Sequence, residues 1–161
     1  SKAGQPVDAR IINTSSGAGL MGSIAQAAYS AAKGAIASLT LVQAAELGRI
    51  GVTANALAPA ARTRMTEEAF ADMMAEVGEG AFDAMAPENV SPLVVWLGSP
   101  ESADVTGRVF EVEGGIIGIA EGFRHGPRFD KGARWDPEEV GAVVADLLKE
   151  AATPTPVYGA S

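Results

Sequence analysis

Cysteine is absent from the chain, and histidine occurs once, at His125. The first absence removes disulfides, thiolate catalysis and cysteine-ligated zinc, and the second leaves a histidine-built metal site without ligands, so no metal is expected. Positive charge is scarce: 12 Lys and Arg face 20 Asp and Glu, for a net charge of −8 and an isoelectric point near 4.6. Such a surface repels a phosphate backbone, and nucleic acid is not an expected partner. No uninterrupted apolar run approaches the ~20 residues that a membrane helix needs, and residues 1–6 (SKAGQP) lack the apolar stretch of a signal peptide. A soluble, cytoplasmic protein without a membrane segment is the expectation.

What the chain does have is apolar bulk. At 161 residues with 47% apolar content it matches the size of one domain and can bury a core. Residues 9–15 (ARIINTS) form a β-branched run that breaks into small residues at Ser16-Gly17-Ala18-Gly19, which reads as a buried strand ending in a loop. Residues 26–47 are rich in Ala, Leu and Ser with no proline, the composition of a long helix with small residues on several faces. Gly48 to Gly51 supplies its stop, and 52–58 (VTANALA) reads as a second strand ended by Pro59. Strand, helix, strand favours a right-handed crossover in a parallel α/β sheet. Residues 66–77 read as a short amphipathic helix with Met65, Met73 and Met74 as core filling, and 88–97 as a helix started by Pro87. The run 108–112 (RVFEV) reads as a third strand. A last helix is capped by Asp136, with Pro137 at its first position and Glu138 and Glu139 at the positive end of its dipole. The boundaries expected are one folded unit over 1–152 and a flexible, frayed tail over 153–161.

Tyr29 and Lys33 stand four apart on the long helix, so their side chains leave one face and meet. Tyrosines are poor bases near neutrality, and a neighbouring ammonium favours the phenolate. Ser16 precedes Tyr29 by thirteen residues at the mouth of the preceding strand, where a turn can bring its hydroxyl beside the phenol. Serine would then hold a substrate oxygen while tyrosine moves a proton. Alone, the tyrosine reads as a packed ring and the lysine as a solvated charge; a strand-end serine, helix tyrosine and lysine together point to catalysis.

The stretch IINTSSGAGLMGSIAQAAYSAAK resembles the active-site segment of the short-chain dehydrogenases/reductases, VTANALAPAARTRMT their following strand and cofactor loop, and VSPLVVWL with GRVFEVEGGIIG their penultimate helix and last strand. The closest likeness is to the (3R)-hydroxyacyl-CoA dehydrogenase branch and related bacterial 3-oxoacyl reductases. The resemblance implies an α/β fold, the C-terminal half of a doubly wound, parallel-sheet Rossmann-like domain with a cofactor of NAD or NADP. Ser16 would orient the carbonyl or hydroxyl, Tyr29 would be the general acid or base, and Lys33 would favour the phenolate and hold the nicotinamide ribose. Pro59 and Thr63 would flank the nicotinamide. Ala60 stands where the family commonly has glycine. The family's glycine-rich turn, which belongs to its first half, is not in the sequence, and Gly17 and Gly19 do not replace it; the chain reads as a fragment unable alone to hold the adenosine half of a dinucleotide.

The implied reaction interconverts a secondary alcohol and a ketone, with a 3-hydroxyacyl or 3-oxoacyl thioester of CoA or a carrier protein as substrate. Two rivals stand beside it: a steroid or other bulky-alcohol dehydrogenase, which residues 66–87 would serve equally, and a non-catalytic subunit that keeps the fold. The helix 26–47 resembles the one that builds the family's homodimers and homotetramers. Arg124, His125, Arg128, Lys131 and Arg134, interleaved with Phe123, Phe129 and Trp135, read first as a solvated loop packing its aromatics and second, with Arg62 and Arg64, as a site for CoA phosphates. Asn13 and Asn55 read as residues pinning backbone, and Ser15 fits the spacing to Tyr29 less well than Ser16.

Overall fold

A computed structural model describes residues 4, 7–63 and 80–160. They divide into two compact units, Ser1–Glu121 with Val157–Ser161, and Gly122–Pro156.

The first unit is built on a four-stranded sheet: β1 (Ala9–Thr14), β2 (Val52–Ala60), β3 (Val109–Glu113) and β4 (Ile116–Ile119), adjacent in that order. The first three strands are parallel, and β4 returns antiparallel to β3 across the turn at Gly114-Gly115. Residues 53–58 of β2 are all buried, so the strand is covered on both faces rather than alternating between core and solvent. Its two faces carry different residues. Leu57 packs with Leu93, Leu97, Phe110 and Val112, whereas Ala56 and Ala58 pack with Val109, Leu20 and Ala37. Helix α3 (Ser91–Leu97) therefore covers one face, and α1 (Gly17–Met21) and α2 (Ala27–Leu47) the other. Alanine beneath α2 keeps that helix close to the strand ends where the candidate residues lie.

The three expected strands and the long helix are present at nearly the expected limits. Four local readings change. Pro59 does not end β2, which runs on to Ala60. Pairing with β1 stops at Leu57 while pairing with β3 continues to Ala60, so Pro59 lies where β2 has one neighbour and a missing N–H is tolerated. The small residues after Ser16 form a turn of helix, α1, rather than a loop. Pro87 starts a 3-10 turn, Pro87–Val90, that leads into α3. Beyond β3 the chain adds β4. The helix expected over 66–77, with Met65, Met73 and Met74, lies outside the described residues.

The second unit carries α4 (Pro137–Glu150), whose first turn is closed by the Glu139 carboxylate accepting from the Asp136 N–H at 3.0 Å. Lys131 pairs with Glu139 and lies 5.2 Å from the Trp135 ring centroid, and Phe129 meets Trp135 at 6.0 Å. Lys131 is thus committed within its own unit, and its hydrogen bond to Glu139 holds that carboxyl below the ordinary range.

Candidate active site

The ladder between β1 and β2 runs one step past β1, where the Ser15 N–H donates to the Leu57 carbonyl at 2.7 Å. That step turns adjacent serines to different tasks. Ser15 is 2% exposed, and its hydroxyl donates to the Lys33 carbonyl at 2.8 Å, tying the strand end to the N-terminal part of α2. Ser16 is the N-cap of α1, its Oγ accepting from the Ala18 N–H at 3.3 Å, and it is only partly buried. Its Oγ–H is available to a further acceptor.

Tyr29 and Lys33 share one face of α2, with the lysine ammonium 5.8 Å from the centre of the tyrosine ring. Lys33 Nζ also donates to the Thr14 carbonyl at 2.9 Å, which anchors it to the carboxyl end of β1. The Tyr29 side is open: the residue is 42% exposed and is not packed into hydrocarbon. Helix α1 joins Ser16 to this pair. A Cβ built on Gly19 would lie 2.5 Å from the Lys33 carbonyl carbon, and one on Gly34 would lie 3.1 Å from the Gly19 carbonyl oxygen. Two glycines thus let α1 and α2 touch backbone to backbone beside Lys33. The arrangement gathers a hydroxyl at a helix N-cap, an exposed phenol and an ammonium around the carboxyl end of a parallel strand, where α/β sheets bind ligands.

Pro59 and Thr63 lie at and after the end of the adjacent strand β2. Arg62, considered for phosphate binding, is instead engaged by Asp83: its two terminal nitrogens reach the two carboxylate oxygens at 2.8 and 2.9 Å, and its N–H donates to the Met85 carbonyl at 2.7 Å. The guanidinium hydrogen bond holds the Asp83 carboxyl below its ordinary value. Asn55 pins backbone as expected, bonding the Val105 carbonyl at 2.8 Å and the Arg108 N–H at 3.1 Å. Asn13 differs, donating to side chains of α2, Thr40 at 2.9 Å and Gln43 at 2.8 Å. In the second unit, Arg128 lines a concavity of about 370 Å³ together with Phe129, Trp135, Glu139, Asp146 and Glu150. Of its carboxylates, Glu139 is paired with Lys131 and Asp146 with Lys149 at 2.6 Å. Arg64 lies outside the described residues. Among the described residues no cluster of three or more His, Asp or Glu could hold a metal, and no helix is long and apolar enough to cross a membrane.

Sequence reasoning missed the Ser15–Lys33 tie, the Thr14 carbonyl as the lysine's anchor and the Gly19–Gly34 contact. Only the glycines left a signal.

The family model described as enoyl-(acyl carrier protein) reductase matches residues 2–117. A short-chain dehydrogenase from Mycobacterium avium, solved by crystallography, is 65% identical and superposes with a TM-score of 0.84 over 99% of this chain and 50% of its own. Hydroxyacyl-CoA dehydrogenase ChsB1 of Mycobacterium tuberculosis is 43% identical over 146 residues, 90% of this chain and 46% of the relative. An actinorhodin polyketide ketoreductase crystallised with NADPH is 32% identical, with a TM-score of 0.53 over 66% of this chain and 46% of its own. The chain spans about half the length of each of these proteins.

Proposed function

The chain belongs to the short-chain dehydrogenase/reductase family, and on that premise we propose that it supplies the catalytic half of an NAD(P)-dependent oxidoreductase that interconverts a 3-hydroxyacyl and a 3-oxoacyl thioester. The observation that carries this reading is the placement of Lys33: one turn from Tyr29, 5.8 Å from its ring and anchored at 2.9 Å to the strand end that leads into Ser16. Similarity to a hydroxyacyl-CoA dehydrogenase supports the thioester, and similarity to a ketoreductase crystallised with NADPH supports the coenzyme.

The donor set suits the nicotinamide end of a dinucleotide. Lys33 would hold the ribose hydroxyls, Pro59 would pack beside the ring and Thr63 would meet its carboxamide; bound there, NAD(P)H supplies the hydride. In reduction, Ser16 Oγ–H donates to the substrate carbonyl oxygen and fixes its position. Tyr29 gives its phenolic proton to that oxygen as the carbonyl carbon receives the hydride, yielding the secondary alcohol. Lys33 stabilises the negative charge left on the phenol oxygen. In oxidation each residue reverses its part: Tyr29 takes the hydroxyl proton and the hydride leaves the same carbon.

The protein acts as a homodimer or homotetramer built through α2, whose Leu39, Leu41 and Val42 are exposed. Steady-state kinetics of the full-length protein with Tyr29→Phe test the mechanism. A loss in kcat/KM of about 10²- to 10⁴-fold is expected, with NADPH still quenching protein fluorescence on binding. An active Tyr29→Phe enzyme would overturn it.

A further inference from the structure

The C-terminal end of the chain is clipped to the loop that joins Ser16 to Tyr29. The Ile24 N–H donates to the Tyr158 carbonyl at 3.0 Å, the Tyr158 N–H donates to the Gly22 carbonyl at 3.1 Å, and Ser23 forms a parallel β-bridge with Tyr158. Two glycines shape the seat. A Cβ on Gly17 would lie 3.0 Å from the Tyr158 hydroxyl oxygen and 3.1 Å from its ring, and a Cβ on Gly22 would lie 3.0 Å from the Val157 side chain. Successive tail residues thus occupy the space that two absent side chains leave, and Ala160 closes a turn onto the Val157 carbonyl at 3.2 Å. The loop itself is held tightly, for Ala25 has φ 63, the only positive φ at a non-glycine among the described residues.

From this geometry we propose that Tyr158 is a specificity-determining residue of the Ser16–Tyr29 site. The inference rests on the catalytic reading given above and goes beyond it by assigning the selectivity to a residue on another part of the chain. Gly17 directly follows Ser16 and opens α1, so the Tyr158 phenol stands on the rim that carries the substrate-orienting hydroxyl. With Tyr158 51% exposed, half its surface is free to meet what enters. A rigid aromatic wall at that point sets how much bulk may flank the reacting carbonyl: a linear acyl chain passes, and a fused-ring ketone is obstructed. Two backbone hydrogen bonds hold the wall in place.

The test uses the full-length protein, with Tyr158→Ala and a version ending at Pro156, assayed for reduction of acetoacetyl-CoA and of trans-1-decalone. Both changes are expected to raise the ratio of kcat/KM for decalone to that for acetoacetyl-CoA by about tenfold. Hydrogen exchange at the Ile24 amide gives a readout independent of turnover: protection is retained in Tyr158→Ala, which keeps the backbone clip, and lost in the shortened version. A selectivity ratio within twofold of the parent in both, with Tyr29→Phe inactive, overturns the assignment of Tyr158 and leaves the catalytic reading intact. An active Tyr29→Phe enzyme overturns the catalytic reading instead.

Discussion

Ser15 and Ser16 differ by one position and by everything that position brings. Strand alternation sends the first hydroxyl inward, to the Lys33 carbonyl, and the second to the open N-cap of α1. Ser16→Ala is therefore expected to lower kcat/KM by about 10²-fold, while Ser15→Ala lowers stability by about 1 kcal/mol, because its hydroxyl is buried and bonded; steady-state assays and urea titration of the full-length protein separate the two effects. Spacing alone favoured Ser16 over Ser15, but it held no account of what occupies Ser15. Asp83 offers a prediction in pH. Its carboxyl is held below the ordinary value of 3.8, chiefly by the hydrogen bond from Arg62, so its contribution is full above that value and fades as acid protonates the folded form. In thermal melts, Asp83→Asn should lie below the parent at pH 6 and approach it as the pH drops under about 3.8. A gap that widens in acid would contradict the pairing.

At the level of elements, the periods in the sequence carried the long strand–helix–strand frame, and local chemistry carried less. The run 26–47 has the length and composition to form a helix on its own terms, and Tyr29 and Lys33 follow from its geometry. Helix α1 is one turn long and contains two glycines, so propensity reads it as loop; it forms because it packs between the strand end and α2. Pro59 misled in the same way, since a rule about ladder donors applies only where a neighbouring strand needs them. Gly19 is the position where this packing can be tested. A methyl group there meets the Lys33 backbone at 2.5 Å, whereas one on Gly34 meets the Gly19 carbonyl at 3.1 Å. Gly19→Ala should therefore cost about 1–3 kcal/mol and reduce kcat as α1 shifts off Lys33, with Gly34→Ala milder on both counts. Equal effects from the two in melting and turnover would count against the close approach as the device that sets Ser16 against Tyr29 and Lys33.

Across the described residues, several large apolar side chains are exposed. Among the described residues β1 pairs only with β2, and α2 leaves Leu39, Leu41 and Val42 exposed. The sequence indicated this helix as an assembly surface through its resemblance to the family, and through its small and apolar faces; it could not show which residues the sheet would take and which it would leave. Ala37 packs against the sheet and Thr40 and Ala44 are buried, while Leu39, Leu41 and Val42 stay exposed. A net charge of −8 opposes association at long range, but it is screened beyond about 8 Å at physiological salt and acts weakly against an apolar contact. Self-association of the full-length protein through α2 is therefore the expected state. Light scattering after size exclusion should return a dimer or tetramer for the parent, and Leu41→Glu with Val42→Glu should shift the mass toward the monomer, since each places an unpaired carboxylate in a buried contact. A monomeric parent would remove α2 as an interface; an unchanged oligomer in the double variant would move the interface to another surface. Because Tyr29 and Lys33 lie on the same helix, the dissociated variant should also lose activity with its α2 helicity retained, as read by circular dichroism at 222 nm.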